Sequence, residues 1–197
     1  PCVKKGDHVY VGTKVADSDA YVSVPIHSSV SGTVKEIKKV IMPGGQAVDA
    51  VIITSDGLME HDPAVCPPPE IKTKQQLADA ARASGLVGLG GAGFPTVVKL
   101  TVKNLEQVKA VIINGAECEP YITSDTRTML DRSQEVLEGA RLVQHFLQVK
   151  RVIFAIEDNK PFCVRTYRKL VKDEPGMEVC PLKSLYPQGG EKVLIYN

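Results

Sequence analysis

Ala110-Val111-Ile112-Ile113-Asn114-Gly115-Ala116-Glu117-Cys118-Glu119-Pro120 is the stretch on which the fold turns. Its run Val111–Ile113 is β-branched throughout and leaves no face for water, as expected of a strand buried in a parallel sheet. Downstream, Ser133 to Leu147 repeats apolar residues at helical spacing (Val136, Leu137, Ala140, Val143, Leu147). Arg151 to Ile156 reads as another strand, Pro161 to Lys172 as a helix and Met177 to Leu182 as a third strand. Alternating strands and helices imply an α/β domain with a parallel sheet. Ligands of such sheets bind at the carboxyl ends of strands, which is where Asn114, Glu117 and Glu119 stand. Asn114 can both donate and accept hydrogen bonds. The two acids have a competing use, as caps and solvated charges for the run from Thr123 onward.

Upstream lies Gly88-Leu89-Gly90-Gly91-Ala92-Gly93-Phe94-Pro95-Thr96, with Lys99 three residues on. Glycines there expose backbone N–H groups and permit the positive φ of an anion-cradling turn. Pro95 suits the first position of a helix, whose N-terminus attracts phosphate, and Lys99 adds a full charge. The spacing Gly88-x-Gly90-x-x-Gly93 matches the dinucleotide fingerprint, but that fingerprint follows a strand. Here Lys74 to Ala83 reads as a helix, stopped by Gly85, so an ordinary Rossmann turn is disfavoured. No Gly-Lys-Ser/Thr follows, which removes the P-loop reading. Glycines serving only tight packing are the remaining alternative. A third motif, Tyr186-Pro187-Gln188-Gly189-Gly190-Glu191-Lys192, reads by itself only as a turn before a helix.

Residues 1 to 62 have a different period. Short apolar runs (Val9-Tyr10-Val11, Val22-Ser23-Val24, Val30 to Val34, Val51-Ile52-Ile53) alternate with turn signals, so this part reads as all-β. Val3 to Val9 and Ile41 to Val48 look like two copies of one idea, an apolar strand running into a Gly turn. The two-fold pattern, with Ser23-Val24-Pro25-Ile26-His27-Ser28-Ser29-Val30-Ser31-Gly32-Thr33-Val34, resembles the barrel-sandwich hybrid of biotinyl and lipoyl carrier domains. The expected tip, Ala16-Asp17-Ser18-Asp19-Ala20, has no lysine to modify, so a packing module is the plainer reading. Pro63, Pro67, Pro68 and Pro69 mark an extended linker over 63–73, and 74–197 forms the α/β domain.

Of 197 residues, 24 are basic and 23 acidic, and no long basic run occurs, which argues against nucleic acid as the main partner. No apolar run reaches the length of a membrane span. The five cysteines are scattered without a C-x-x-C pair, which reads as reduced thiols in a cytoplasmic setting and not as a metal site. Cys118 lies between Glu117 and Glu119 and is assigned no nucleophilic role. The four histidines, His8, His27, His61 and His145, suggest no metal site. The chain opens mid-pattern and stops as an apolar run begins at Ile195-Tyr196, so a fragment of a longer protein is expected.

Gly-x-Gly-Gly-Ala-Gly-Phe-Pro-Thr, a lysine soon after and a strand ending Asn-x-x-Glu-x-Glu-Pro together resemble the flavin-binding subunit family of respiratory complex I. The variant Asn114 to Thr123, the Tyr186–Lys192 motif and the β module resemble the C component of Rnf electron-transport complexes in particular. Flavoprotein cobalamin reductases of bacterial microcompartments are similar, and a subunit-docking role without a ligand is the alternative from another class.

The resemblance implies a Rossmann-like flavin-binding domain that carries FMN, oxidises NAD(H) and passes electrons to [4Fe–4S] clusters outside residues 1–197. It places Gly88, Gly90, Gly91 and Gly93 around the FMN, and Lys99 and Asn114 at its phosphate and ribityl region. Glu117, Gly190 and Glu191 lie near the flavin, and Phe94 and Glu119 on the NADH side. No residue is assigned a catalytic proton transfer, and no metal ligand is expected in this stretch. The implied partners are other subunits of a membrane complex coupled to ion translocation. The implied place is peripheral, on the cytoplasmic side of the bacterial inner membrane, with the fragment alone inactive. Two positions depart from the complex I pattern: Ala116 stands where Asp is usual, and Leu89 where Arg is common.

Overall fold

The computed structural model describes all residues except Pro68, Gly91 and Asn197. The chain divides into two compact units, Pro1–Val102 and Lys103–Asn197. The first holds the β module together with the segment that carries the glycine loop.

In the first unit, β1 (His8–Val9), β4 (Gly32–Ile41) and β5 (Ala47–Ser55) form an antiparallel sheet in the order β1-β4-β5. A second ribbon pairs β2 (Lys14–Ala16) with β3 (Ile26–His27). Val9, Val15 and Val34 make the small core, with Val3, Ile37, Val51 and Ile53 packed on it. Both expected turns are present. Gly6 has φ +92 ahead of β1, and Gly45 has φ +79 in the β4–β5 turn. Val22-Ser23-Val24 is irregular, with a bend at Val22, instead of the expected strand. The Ser23 hydroxyl donates to the carbonyls of Ser18 and Ala20, and such local bonds compete with a sheet ladder. The tip region is fastened by Asp17, whose carboxylate takes Arg82 Nη2 at 2.9 Å. That guanidinium holds the Asp17 carboxyl down at about 2.

Gly32 is where this module is least tolerant. Its φ is +150°, and an added Cβ would lie 2.1 Å from the Thr54 carbonyl oxygen on β5. Gly32→Ala is therefore expected to cost about 2 kcal/mol, as strained backbone and a displaced ladder carbonyl combine. A lowered urea midpoint measured by circular dichroism checks it.

Helix α1 (Lys74–Ala83) starts at a capping box: Thr73 Oγ1 accepts from Gln76 N, and Gln76 Oε1 accepts from Thr73 N. It buries Leu77, Ala78 and Ala81 on one face and ends at Gly85, φ +70. A short helix α2 (Thr96–Leu100) closes the unit.

The second unit is the expected α/β layer. Strands β6 (Val111–Gly115), β7 (Val152–Glu157) and β8 (Met177–Leu182) pair in parallel in that order, with Val111 opposite Val152 and Val152 opposite Met177. Helices α3 (Ser124–Asp131) and α4 (Ser133–Leu147) connect β6 to β7, and α5 (Pro161–Leu170) connects β7 to β8. The helix α6 (Glu191–Tyr196) follows the last motif. The core joins Val152, Phe154 and Ile156 of β7 to Leu137, Cys163 and Tyr167 on the helices. Tyr167 is fully buried, and its hydroxyl donates to the Met129 carbonyl at 3.2 Å. Burial pushes its phenol up to about 12. Among the described residues no helix is long and apolar enough to cross a membrane.

Candidate functional site

Helix α1 leads through Ser84 and Gly85 into the glycine loop. Because a helix and not a strand enters, the ordinary dinucleotide turn is excluded. Val87 and Pro95 form an antiparallel bridge. Gly88 N donates to Phe94 O at 2.9 Å, and Thr96 N to Leu86 O at 3.0 Å. These contacts close residues 88–94 into a loop. Gly91 lies outside the described residues. Of the loop's other glycines only Gly93, φ +60, uses the left-handed region.

Gly90 has another significance. A Cβ built there meets nothing within 4 Å, and the same is true at Gly93, while at Gly88 only the Phe94 carbonyl comes as near as 3.8 Å. Packing within the chain therefore gives no reason for glycine at 90. Space kept free of side chains beside an exposed backbone is what close approach of a ligand requires. Leu89 points outward at 94% exposure.

Pro95 takes the cap position with φ −59° and precedes the first helical residue. Helix α2 has only five residues, too few for the expected helix-dipole grip, and carries Lys99 in its last turn. Lys99 Nζ stands 6.0 Å from the Phe94 ring centroid, at the edge of cation–π range. Both side chains are exposed.

In the second unit the carboxyl ends of the three strands gather the later motifs. Asn114 Nδ2 donates to the Gly189 carbonyl at 2.9 Å, and its Oδ1 accepts from Ala116 N at 3.1 Å. A Cβ on Gly189 would lie 2.8 Å from the Ala116 carbonyl and 3.1 Å from Cys118 Sγ, so this approach needs glycine. The turn holding Gly189 contains a cis Tyr186–Pro187 bond and places Gly190 and Glu191 at the start of α6. Asn114, Gly190 and Glu191 thus share one end of the sheet.

Glu117 sits in a buried charge cluster. Its side chain is 2% exposed, that of Glu157 is 5% and that of Lys160 is 11%. Glu117 Oε1 accepts from Asp125 N at 2.7 Å and Thr126 N at 3.2 Å, and Oε2 accepts from Thr126 Oγ1 at 2.6 Å. The carboxylate therefore caps the first turn of α3, the structural alternative to a ligand contact. Lys160 Nζ lies 3.4 Å from Glu117 Oε2 and is bonded to Glu157. Glu157 Oε2 in turn accepts from Glu117 N at 3.1 Å, fixing the backbone of the loop after β6. Burial raises the Glu117 pKa, but the Thr126 and Asp125 hydrogen bonds and Lys160 outweigh it and hold the carboxyl below its ordinary value. Asp125 is pushed up by burial and by Glu117 and Glu119.

Glu119 is exposed beside this cluster. A cavity of about 510 Å³ opens there, lined among others by Glu119, Tyr121, Lys160 and Phe162. Tyr121 is fully exposed with φ +63°. Glu157 and Lys160 belong to no motif. Their only mark in the sequence is position: an acid ending an apolar run, then a lysine before a helix-starting proline.

Residues 81–197, more than half of the chain, match the family of the Nuo51 FMN-binding domain. The chain belongs to that family. Residues 1–58 match the RnfC barrel sandwich hybrid domain, in line with the antiparallel sheet and ribbon of the first unit. The C component of a Na(+)-translocating ferredoxin:NAD(+) oxidoreductase complex from Acetobacterium woodii is 40% identical over 99% of this chain and 44% of its own length. Its counterpart in the proton-translocating ferredoxin:NAD(+) oxidoreductase complex of Clostridium ljungdahlii is 40% identical over 99% of this chain and 43% of its own. The C component of an ion-translocating oxidoreductase complex of Haemophilus influenzae is 38% identical over 98% and 30%. The chain spans less than half the length of these relatives. The resemblance read from the motifs, an FMN-domain chain akin to RnfC, is borne out.

Proposed function

We propose that this Nuo51-type chain is the flavin-carrying part of an RnfC protein, an NADH-linked electron-transfer oxidoreductase subunit, with FMN as its cofactor. The observation that carries this reading is the match of residues 81–197 to the Nuo51 FMN-binding domain family, joined by the open space where a side chain would stand at Gly90. Gly88, Gly90 and Gly93 offer backbone to the flavin, Gly91 is assigned to the same loop by the resemblance alone, and Lys99 supplies a cation for its phosphate. In the second unit, Asn114, Gly190 and Glu191 are assigned to flavin binding by the resemblance, and Glu117 acts by ordering the loop after β6. Phe94 and Glu119 serve the NADH side. When bound, FMN supplies hydride acceptance from NADH and release of single electrons to [4Fe–4S] clusters carried outside residues 1–197. The residues of this chain bind and orient, and none is assigned a proton.

In this reading residues 1–62 are a barrel-sandwich hybrid module without a modifiable lysine, 63–73 a linker and 74–197 the flavin domain. The partners are the other subunits of an ion-translocating membrane complex, and the chain lies peripherally on the cytoplasmic face of the bacterial inner membrane. The test is anaerobic addition of NADH to the FMN-loaded full-length subunit. Bleaching of the flavin absorbance is expected. A loaded, folded subunit whose spectrum NADH leaves unchanged would overturn the NADH assignment.

A further inference from the structure

Helix α5 divides cleanly into two faces. Cys163, Val164, Tyr167 and Val171 turn inward and are buried in the core of the second unit. The outward stripe carries Phe162, Arg165, Arg168 and Lys169, with Lys172 one turn beyond Arg168. All five are exposed, Phe162 at 68%. At about 100° per residue the four on the helix fall within about one third of its circumference, and Lys172 follows its end.

Four cations on one stripe ordinarily find carboxylates on their own surface. Here, among the described residues, none of the four enters an ion pair: Arg165 rests over the Phe162 ring at 4.7 Å, and Arg168, Lys169 and Lys172 have no side-chain partner. The cations around them are used differently. Arg141 is paired with Glu174, Arg151 with Glu178, and Lys160 with Glu157 and Glu117. Arg168 and Lys169 lie in the last turn, where they suit the helix dipole. The dipole does not account for Arg165 near the middle, for Lys172 beyond the end, or for an aromatic ring held in water beside them.

We propose that this face of α5 docks an acidic protein surface. The stripe offers unpaired guanidinium groups, which bind carboxylates in fork geometry, next to one aromatic anchor. Arginine and aromatic side chains are the types that carry the energy of protein–protein contacts. The helix is pinned to the sheet by its buried face, so the row from Phe162 to Lys169 is presented rigidly along about 10 Å. A membrane surface fits less well, because one phenylalanine is too little apolar area to seat a helix among lipid headgroups. The inference does not depend on the flavin reading.

The test uses the full-length subunit and a fluorescent deca-glutamate peptide as the simplest acidic polypeptide, with phosphatidylglycerol/phosphatidylcholine vesicles as a second arm. The expected result is peptide binding that weakens with salt and falls at least about tenfold in R165E/R168E/K169E. The neutral variant R165Q/R168Q/K169Q should lose most of the binding too, while K5E/K35E, reversed on the β module, retains it. Unchanged thermal unfolding shows that the variants fold. Equal peptide binding by parent and R165E/R168E/K169E would overturn the proposal, as would no binding by the parent. Vesicle binding with the same dependence on these residues would also overturn it, by making the face a general anion surface.

Discussion

Lys160→Ala is expected to destabilise the unit Lys103–Asn197 by about 3–5 kcal/mol, the cost of breaking a buried pair from one side. Lys160 is the cation between two carboxylates that are 2% and 5% exposed. Without it, Glu117 and Glu157 face one another's charge with little water to screen them. The hydrogen bonds from Asp125, Thr126 and the Glu117 backbone remain, so the fold survives in weakened form. The pH dependence gives the result a signature. In the parent, Glu117 is held below its ordinary pKa, so its contribution is present above the unfolded value and is lost as pH falls through the folded one. Removing Lys160 takes away one of the causes that lower it and leaves burial opposed by less. The variant's deficit should therefore be largest at neutral pH and shrink in acid, where a protonated carboxyl needs no cation. Urea unfolding of parent and variant across pH checks this. A deficit that does not change with pH would show that the cluster's charges contribute little.

The same cluster shows what can be read from a sequence and what cannot. The boundaries of α1, α4 and β8 agree with the residue spacing, because each buries a face against neighbours close in the chain or opens at a clear cap such as Thr73. The parallel sheet followed from the β-branched run of β6 and its alternation with helices. Val22–Val24 misled because the Ser23 hydroxyl satisfies nearby carbonyls and bends the chain away from a ladder. At the site, the motif residues Asn114 and Gly190 are brought to one sheet end by a contact between positions 75 residues apart, Asn114 and Gly189. No local pattern announces such a contact. Glu117 was visible as an acid at a strand end, but whether it faces a ligand or caps a helix depends on where α3 begins. Glu157 and Lys160 were invisible as partners of Glu117, since only folding brings residue 160 to residue 117. The loop itself was legible in its entry from a helix. The helix-terminus part of that reading is not matched, because α2 has only five residues.

The second large effect concerns that loop. A valine at position 90 has room: a Cβ there meets nothing within 4 Å, and the backbone does not require a positive φ. The chain should therefore fold as before. If FMN approaches the backbone here, the isopropyl group occupies the space the flavin needs. Affinity should then drop by about a thousandfold or more, which at about 1.4 kcal/mol per factor of ten is about 4 kcal/mol. Lys99→Met, which removes only a charge, should cost less. The most direct measurement is FMN titration of the full-length subunit and its Gly90→Val form, with thermal unfolding of each apoprotein recorded alongside. The account predicts unchanged unfolding and near-complete loss of flavin binding. A Gly90→Val subunit that binds FMN as tightly as the parent would contradict it.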